Sequence, residues 1–168
     1  NRFFFFTPDG KAAYYDKRHL FRMGHENQYF APGRERPVIS YRDFRILPQV
    51  CYDLRFPVWS RNVDNGYDLA VYVASWPASR RQVWDVLLRA RALENQCYVC
   101  GVNRTGIDGN NLLYDGGSVV YSPKGERLAS LPDGHEGTAT VDLDLASLQH
   151  FRKKFPVAAD ADPFVLQK

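Results

Sequence analysis

The sequence predicts one α/β domain, built in layers of sheet and helix. Strands alternate with helices over residues 38–103, and strand-rich hairpins follow them. The run Leu69–Ser75 is continuously apolar, which is typical of a strand covered on both faces. A chain of 168 residues is long enough for a sizeable core, and no repeat or linker divides it. We therefore predict a single domain over residues 1–168.

The first half of the chain begins with a predicted hairpin around the turn signal Asp9-Gly10. Its predicted strands are Phe3–Phe6, Ala12–Tyr15, Val38–Tyr41, Phe44–Cys51 and Leu69–Ser75, with a long polar loop over residues 16–36. Pro57–Val63 has proline at an early helical position, which predicts a short helix. Ser79 and Gln82 form an S-x-x-Q capping box, which predicts a helix running to about Asn95.

The second half is predicted to be richer in strands. The predicted elements are a strand at Cys97–Asn103, a loop at Gly106–Asn111, a hairpin of Ser118–Ser122 with Arg127–Leu131, and a last strand at Thr138–Asp142. Asp144 then caps a helix that Pro156 ends. The tail Val157–Lys168 has no periodicity, and we expect it to dock on another surface.

The composition excludes several classes of protein. The 22 basic residues are interleaved with 19 acidic ones, for a net charge of +3, so nucleic acid is not expected as a partner. Three cysteines do not form a disulfide framework and fit a reducing compartment. No apolar stretch has transmembrane length. We therefore expect a soluble cytoplasmic protein with no membrane partner.

Cys51 is the first candidate for chemistry, because it ends a buried strand. A thiol there points out of the end of the sheet, where backbone N–H groups can lower its pKa and receive an oxyanion. The alternative is a buried, inert cysteine. His19, His25, His135 and His150 also leave a Cys–His protease open, since such partners are adjacent only in space.

Cys97-Tyr98-Val99-Cys100 has the C-x-x-C spacing of metal and redox sites. In a strand these two thiols face opposite sides, and no second Cys/His pair completes a zinc site. We therefore predict core packing and no metal.

Several segments resemble the nitrilase superfamily of carbon–nitrogen hydrolases, in order along nearly the whole chain. Gln49–Pro57 (QVCYDLRFP) is similar to the nucleophile segment and Tyr15–Phe21 (YDKRHLF) to the lysine segment. Glu26, seven residues before Gly33, resembles the second glutamate of the family. Further matches are Ala74–Pro77, Arg89–Gln96, Gly101–Arg104 and Gly116–Glu126.

The resemblance implies a four-layer α-β-β-α sandwich and points to the omega-amidase branch. Members of this branch hydrolyse the terminal amide of small dicarboxylic acid monoamides such as 2-oxoglutaramate, without a cofactor. It implies that Cys51 attacks and forms a thioester, and that Lys17 and the backbone N–H of Tyr52 stabilise the oxyanion. Glu26 would position Lys17, and ammonia would leave. Family members commonly form homodimers, so we expect a homodimer or a higher oligomer.

Two further groups are candidates for substrate binding. Arg80 and Arg81 follow a predicted strand end, where a substrate carboxylate would suit an arginine fork. An exposed first helical turn explains them equally well. Trp76 either forms a wall of the pocket or only packs.

One element of the family pattern is missing. The general-base glutamate of the family lies well upstream of the lysine, and none of the sixteen residues before Lys17 is Glu. We therefore expect the chain to represent the C-terminal two-thirds of a family domain and to be inactive alone. The alternatives are another nitrilase-branch amidase or carbamoylase, or an inactive chain that binds a small molecule or a partner.

Overall fold

A computed structural model describes residues 1–165 of the chain, and its architecture is α/β, as predicted. The strands are β1 Arg2–Phe6, β2 Ala12–Asp16, β3 Ile39–Tyr41, β4 Phe44–Val50, β5 Leu69–Ala74, β6 Tyr98–Asn103, β7 Thr105–Ile107, β8 Leu113–Asp115, β9 Val119–Tyr121 and β10 Arg127–Ser130. The α-helices are α1 Glu26–Tyr29, α2 Arg81–Asn95 and α3 Leu145–Lys154. None of the helices over residues 1–165 is both long and apolar enough to cross a membrane.

The centre of the fold is a six-stranded sheet with the order β10-β9-β6-β5-β4-β3. Strands β4, β5 and β6 are parallel, and the strands on both sides of them are antiparallel. Val50, the last residue of β4, pairs with Val73 near the end of β5. The carboxyl ends of these parallel strands therefore meet at one edge, which brings Cys51 close to Ser75.

Helix α2 covers one face of this sheet and forms the main core. Trp84, Leu88 and Ala92 are fully buried in one cluster with Tyr72 of β5. Gly101 of β6 is required here, because a Cβ atom would lie 2.4 Å from Leu88 Cδ1. The helix also supplies the crossover that parallel strands need.

Three predictions about local structure are wrong. Residues 57–62 are not helical, and Val63 only begins a 3-10 helix, Val63–Asn65. Another 3-10 helix, Cys51–Arg55, follows β4 directly, because the Asp53 carboxylate accepts the Val50 N–H. Ser79 makes no capping bond, because it lies inside a 3-10 turn, Ala78–Arg80, that precedes α2. Thr138–Asp142 forms no strand, because it has no ladder partner within residues 1–165.

The predicted loop at residues 106–111 is partly strand. Strands β7 and β8 pair on either side of it, and Asp108 holds their turn by accepting the N–H groups of Asn110 and Leu112. Helix α3 is as predicted, because the carboxylate of Asp144 caps it at the N–H of Ser147.

The tail after α3 continues in a 3-10 turn, Val157–Asp160. Its last three residues, 166–168, lie outside the described part of the chain.

Candidate active site

Cys51 lies at the turn that ends β4, in a backbone conformation that L-residues seldom adopt. Its φ angle is 47°, in the left-handed region. Its Sγ atom lies 3.8 Å from the carbonyl oxygen of Ser75, which follows β5. Tyr52 is the next residue of the 3-10 helix, and a backbone N–H in a first helical turn has no partner within the helix. A thiol and an N–H donor thus occur side by side.

The electrostatic surroundings of Cys51 favour the protonated thiol over the thiolate, because they raise its pKa. Burial raises the pKa of Cys51, and the positive charge of Lys17 lowers it. The carboxylates of Glu26 and Asp53 each act to raise this pKa further. The net pKa is above the ordinary value, so forming the thiolate requires a base.

Lys17 and Glu26 form a tight ion pair beside this thiol. Lys17 Nζ lies 2.7 and 2.6 Å from the two carboxylate oxygens of Glu26, and the lysine is only 2% exposed. Glu26 is held in turn by the backbone N–H of Phe21, at 2.8 Å. Both oxygens of Glu26 are therefore hydrogen-bonded to the ammonium group.

A cavity of about 300 Å³ opens beside Cys51. Trp76 and Arg80, two of the predicted substrate-binding residues, line it, and so does Arg55. Trp76 is 3% exposed and is fixed by Asn103, whose side-chain amide bonds both the N–H and the C=O of Trp76. Trp76 therefore forms a rigid wall of the cavity and also packs on Trp84, with ring centroids 5.5 Å apart.

The guanidinium groups of Arg55 and Arg80 have no hydrogen-bonding or ion-pair partner within residues 1–165. Arg55 stacks over the Trp76 ring at 5.6 Å, and Arg80 stacks over the Phe21 ring at 5.3 Å. Arg81 differs, because it forms one ion pair with Asp85 in its own helix and two more that join α2 to Asp115 and Asp133. Arg81 is therefore engaged by acidic side chains and is not free for the suggested fork with Arg80, whereas Arg55 lines the same cavity as Arg80.

The structure does not support a Cys–His pair. The Cys51 thiol bonds the Ser75 carbonyl, whereas the His19 Nδ1 atom lies 2.8 Å from Asp53. His135 Nδ1 contacts the Asp133 carbonyl, and His25 contacts Gln28. No histidine among the described residues is bonded to the thiol.

The two thiols of the C-x-x-C segment lie in different surroundings, with Cys97 just before β6 and Cys100 within it. Cys97 is fully buried in the cluster under α2, and burial raises its pKa to about 12. Cys100 is only partly buried and is outside that cluster. The predicted core packing of Cys97 is confirmed. Within residues 1–165 no three His, Cys, Asp or Glu side chains form a group that could hold a metal ion.

Sequence reasoning did not assign roles to Arg55 and Asn103. Arg55 lies in the nucleophile segment, four residues after Cys51 and in the same 3-10 helix, and both residues line the cavity. Asn103 ends β6, next to the end of β5, and a polar residue at the end of a buried strand was a usable signal. Neither the Asn103 bonds to Trp76 nor the lack of a partner for Arg55 could be read from the sequence.

The fold and this cluster define a class: an α/β protein with a strand-end thiol, a buried lysine–glutamate pair and an arginine-lined cavity. Comparison with known proteins is consistent with it. The family model described as carbon-nitrogen hydrolase matches residues 1–153. The chain therefore belongs to the carbon-nitrogen hydrolase family, and its relatives place it in the omega-amidase-like branch of the nitrilase superfamily.

The relatives include two bacterial enzymes. The chain is 53% identical to omega-amidase YafV of Escherichia coli K12, over 99% of this chain and 64% of that protein. It is 35% identical to 2-oxoglutaramate amidase of Bacillus subtilis, over 87% of this chain and 56% of that protein. The chain thus spans less than two-thirds of the length of these relatives.

A solved structure with the same fold is XC1258 of Xanthomonas campestris, described as a CN-hydrolase superfamily protein with an arsenic adduct in the active site. It has a TM-score of 0.95 and 46% identity, over 99% of this chain and 65% of that one. The nitrilase-type fold predicted from the sequence is confirmed.

Proposed function

We propose that the protein containing this chain hydrolyses the terminal amide of a small dicarboxylic acid monoamide, such as 2-oxoglutaramate, and releases ammonia. The observation that carries the proposal is the pair of unpartnered guanidinium groups, Arg55 and Arg80, in the cavity beside Cys51. A substrate with an amide at one end and a carboxylate at the other fits this arrangement of a nucleophile and two cations. Two relatives are named for such reactions, omega-amidase and 2-oxoglutaramate amidase.

The reaction would begin when the Cys51 thiolate attacks the amide carbon. Negative charge then develops on the carbonyl oxygen, and the Lys17 ammonium and the Tyr52 N–H would stabilise it. Collapse of this intermediate, with a proton delivered to nitrogen, releases ammonia and leaves a thioester on Cys51. Water then cleaves the thioester to give the dicarboxylic acid and the free thiol.

The proton transfers need a base other than the carboxylates described beside Cys51. Glu26 is bound to Lys17 through both oxygens, and Asp53 is fully buried and accepts four hydrogen bonds. Neither carboxylate is hydrogen-bonded to the thiol, whose partner among residues 1–165 is the Ser75 carbonyl. We therefore assign the base to a glutamate outside residues 1–165, in line with the family pattern.

The substrate carboxylate would bind Arg55 and Arg80. A hydrogen bond to a charged group contributes about 1.5–3 kcal/mol, or roughly 10- to 150-fold in kcat/KM. Trp76 would close one side of the cavity and keep the short substrate extended between Cys51 and the arginines. We further propose that the enzyme works in the cytoplasm as a homodimer, or a higher oligomer, without nucleic acid or membrane partners.

The test is ammonia release by the complete protein from three substrates. These are 2-oxoglutaramate, a monoamide of similar length without a carboxylate, and an N-carbamoyl amino acid. We expect 2-oxoglutaramate to be preferred, and Arg55→Met and Arg80→Met to lose that preference. Arg89→Met, on an exposed part of α2 outside the cavity, is the matched control and should keep it. Preference for the carbamoyl compound would contradict the proposal.

A further inference from the structure

Asp53 is the most heavily hydrogen-bonded side chain near the thiol. It is 0% exposed, and each of its oxygens accepts two hydrogen bonds. Oδ1 lies 2.9 Å from the His19 N–H and 2.8 Å from His19 Nδ1. Oδ2 lies 2.8 Å from the Tyr15 hydroxyl and 3.1 Å from the Val50 N–H. This carboxylate is saturated, so it has no free site for a substrate.

The partners of Asp53 flank the two groups that would carry out the chemistry. Tyr15 and His19 lie two residues before and two residues after Lys17, whereas Val50 directly precedes Cys51. Asp53 therefore joins segments that are 34 to 38 residues apart in sequence. A single carboxylate links the lysine loop to the cysteine turn.

The two linking side chains are themselves held in place. The Tyr15 hydroxyl also accepts the N–H of Arg18 and the indole N–H of Trp59, both at 3.0 Å. The His19 ring stacks on Phe56, with centroids 3.7 Å apart and an interplanar angle of 5°. The link between the segments is thus rigid, as a well-positioned catalytic pair requires.

We infer that Asp53 is a positioning residue, which holds the Lys17 ammonium against the Cys51 thiol through Tyr15 and His19. The inference rests on the proposed function only for its effect on turnover, because the link itself is visible in the geometry. Asp53 acts through other residues and does not contact the reacting atoms.

A purely electrostatic role for Asp53 makes the opposite prediction. The charge of Asp53 acts to raise the pKa of Cys51, whereas the charge of Lys17 lowers it. If Asp53 acted by charge alone, Asp53→Asn would lower the thiol pKa. If Asp53 holds Lys17 in place, the same change displaces the ammonium and raises the thiol pKa. The sign of the shift separates the two roles.

The ionisable groups around the thiol must be kept constant in this comparison. They are Lys17, Glu26, Tyr52, Asp53, Arg55, Arg80 and Tyr114. Asp53→Asn leaves the other six unchanged in sequence. An opposite charge close to a thiol shifts its pKa by about one unit or more, so loss of the ammonium should slow alkylation roughly tenfold at neutral pH.

The test is the pH profile of iodoacetamide alkylation at Cys51 in the complete protein, followed by mass spectrometry of the peptide that carries it. We expect Asp53→Asn and His19→Ala to raise the apparent pKa, and His19→Asn, which keeps a side-chain N–H donor, to restore it. Asp68→Asn is the matched control. Asp68 is buried at the opposite end of β5, and this change should leave the profile unaltered.

A double variant completes the test. Lys17→Met alone should raise the pKa, and adding Asp53→Asn should give no further rise, because the effect of Asp53 passes through Lys17. An unchanged or lowered pKa in Asp53→Asn would overturn the inference. If that variant does not fold, equal profiles for wild type, His19→Ala and His19→Asn would overturn it. Because alkylation needs no substrate, absence of amide hydrolysis with these shifts intact would refute the proposed function alone.

Discussion

Replacing Lys17 by Met removes the ammonium group and nearly preserves the shape of the side chain. Lys17 is 2% exposed and its partner Glu26 is 22% exposed, with an N–O distance of 2.6 Å. A second lysine ion pair, Lys11 with Asp9, has an N–O distance of 2.7 Å, but its side chains are 84% and 55% exposed. The two pairs have matching geometry and differ in burial, which makes Lys11→Met the natural control.

The size of the effect follows from the position of Lys17. Loss of one oxyanion donor lowers kcat roughly 10²- to 10³-fold, or about 2.7–4 kcal/mol. Removing one partner of a buried ion pair costs about 3–5 kcal/mol of unfolding free energy. In Lys17→Met, Glu26 keeps its hydrogen bond from the Phe21 N–H and is partly exposed to solvent. The unfolding free energy should therefore fall by about 3 kcal/mol, the lower end of that range.

Two assays measure these effects: kcat for ammonia release from 2-oxoglutaramate, and urea denaturation at neutral pH. Lys11→Met should change neither quantity measurably, because solvent screens exposed pairs. A Lys17→Met enzyme that keeps the kcat of the wild type would refute the role given to the ammonium. An unchanged midpoint in urea would show that burial of the pair does not contribute to stability.

Three further predictions concern the cysteines, the buried ion pair under α3 and pH. Cys51→Ala should abolish turnover without loss of stability, whereas Cys97→Ala should keep turnover and lower the unfolding free energy by about 1 kcal/mol. Equal loss of activity in both would contradict the choice of nucleophile. Arg152→Met should lower the unfolding free energy, measured by urea denaturation, by about 3 kcal/mol. The reason is that Asp68, which Arg152 contacts at 2.7 Å, stays buried without one of its partners. A change below the error of the measurement would contradict this. Burial alone would raise the pKa of Asp68, but the bonds from Arg45 and Arg152 outweigh it and hold that pKa below its usual value of 3.8. The stability that Asp68 supplies should therefore be fully present above about pH 4 and be lost as the pH falls further. The difference in unfolding free energy between wild type and Asp68→Asn, measured as a function of pH, should accordingly become smaller in acid.

The order of the main elements was predictable because hydrophobic periodicity reports burial. The apolar residues of β5 and the helically spaced apolar residues of α2 pack against each other in the same buried cluster. Asp144 also acts as the predicted cap of α3, because capping needs only a side chain and a nearby N–H.

The errors occurred where a long-range partner decides the local structure. A 3-10 helix forms at Cys51–Arg55, ahead of the helix predicted at residues 57–63, and its Asp53 is held by Tyr15 and His19, which are far away in sequence. Thr138–Asp142 alternates like a strand but has no ladder to join within residues 1–165.

Part of the candidate site could be predicted from the sequence, and the rest depends on long-range contacts. Cys51, Lys17 and Glu26 were singled out from a resemblance, and the structure brings Lys17 and Glu26 into direct contact. The engagement of Arg81 by three aspartates could not be foreseen, because it depends on which acidic side chains the folded chain brings to it.

The proposed mechanism requires the sulfur of Cys51 to form a covalent bond to the substrate during turnover. It is tested most directly by mixing the complete protein with 2-oxoglutaramate, quenching in acid within the first turnover and mapping the digested peptides by mass spectrometry. We predict that the Cys51 peptide gains the mass of the substrate less ammonia, and that it loses this mass on longer incubation. An adduct on Cys97 or Cys100, or ammonia release with no adduct on any cysteine at any time, would contradict the account.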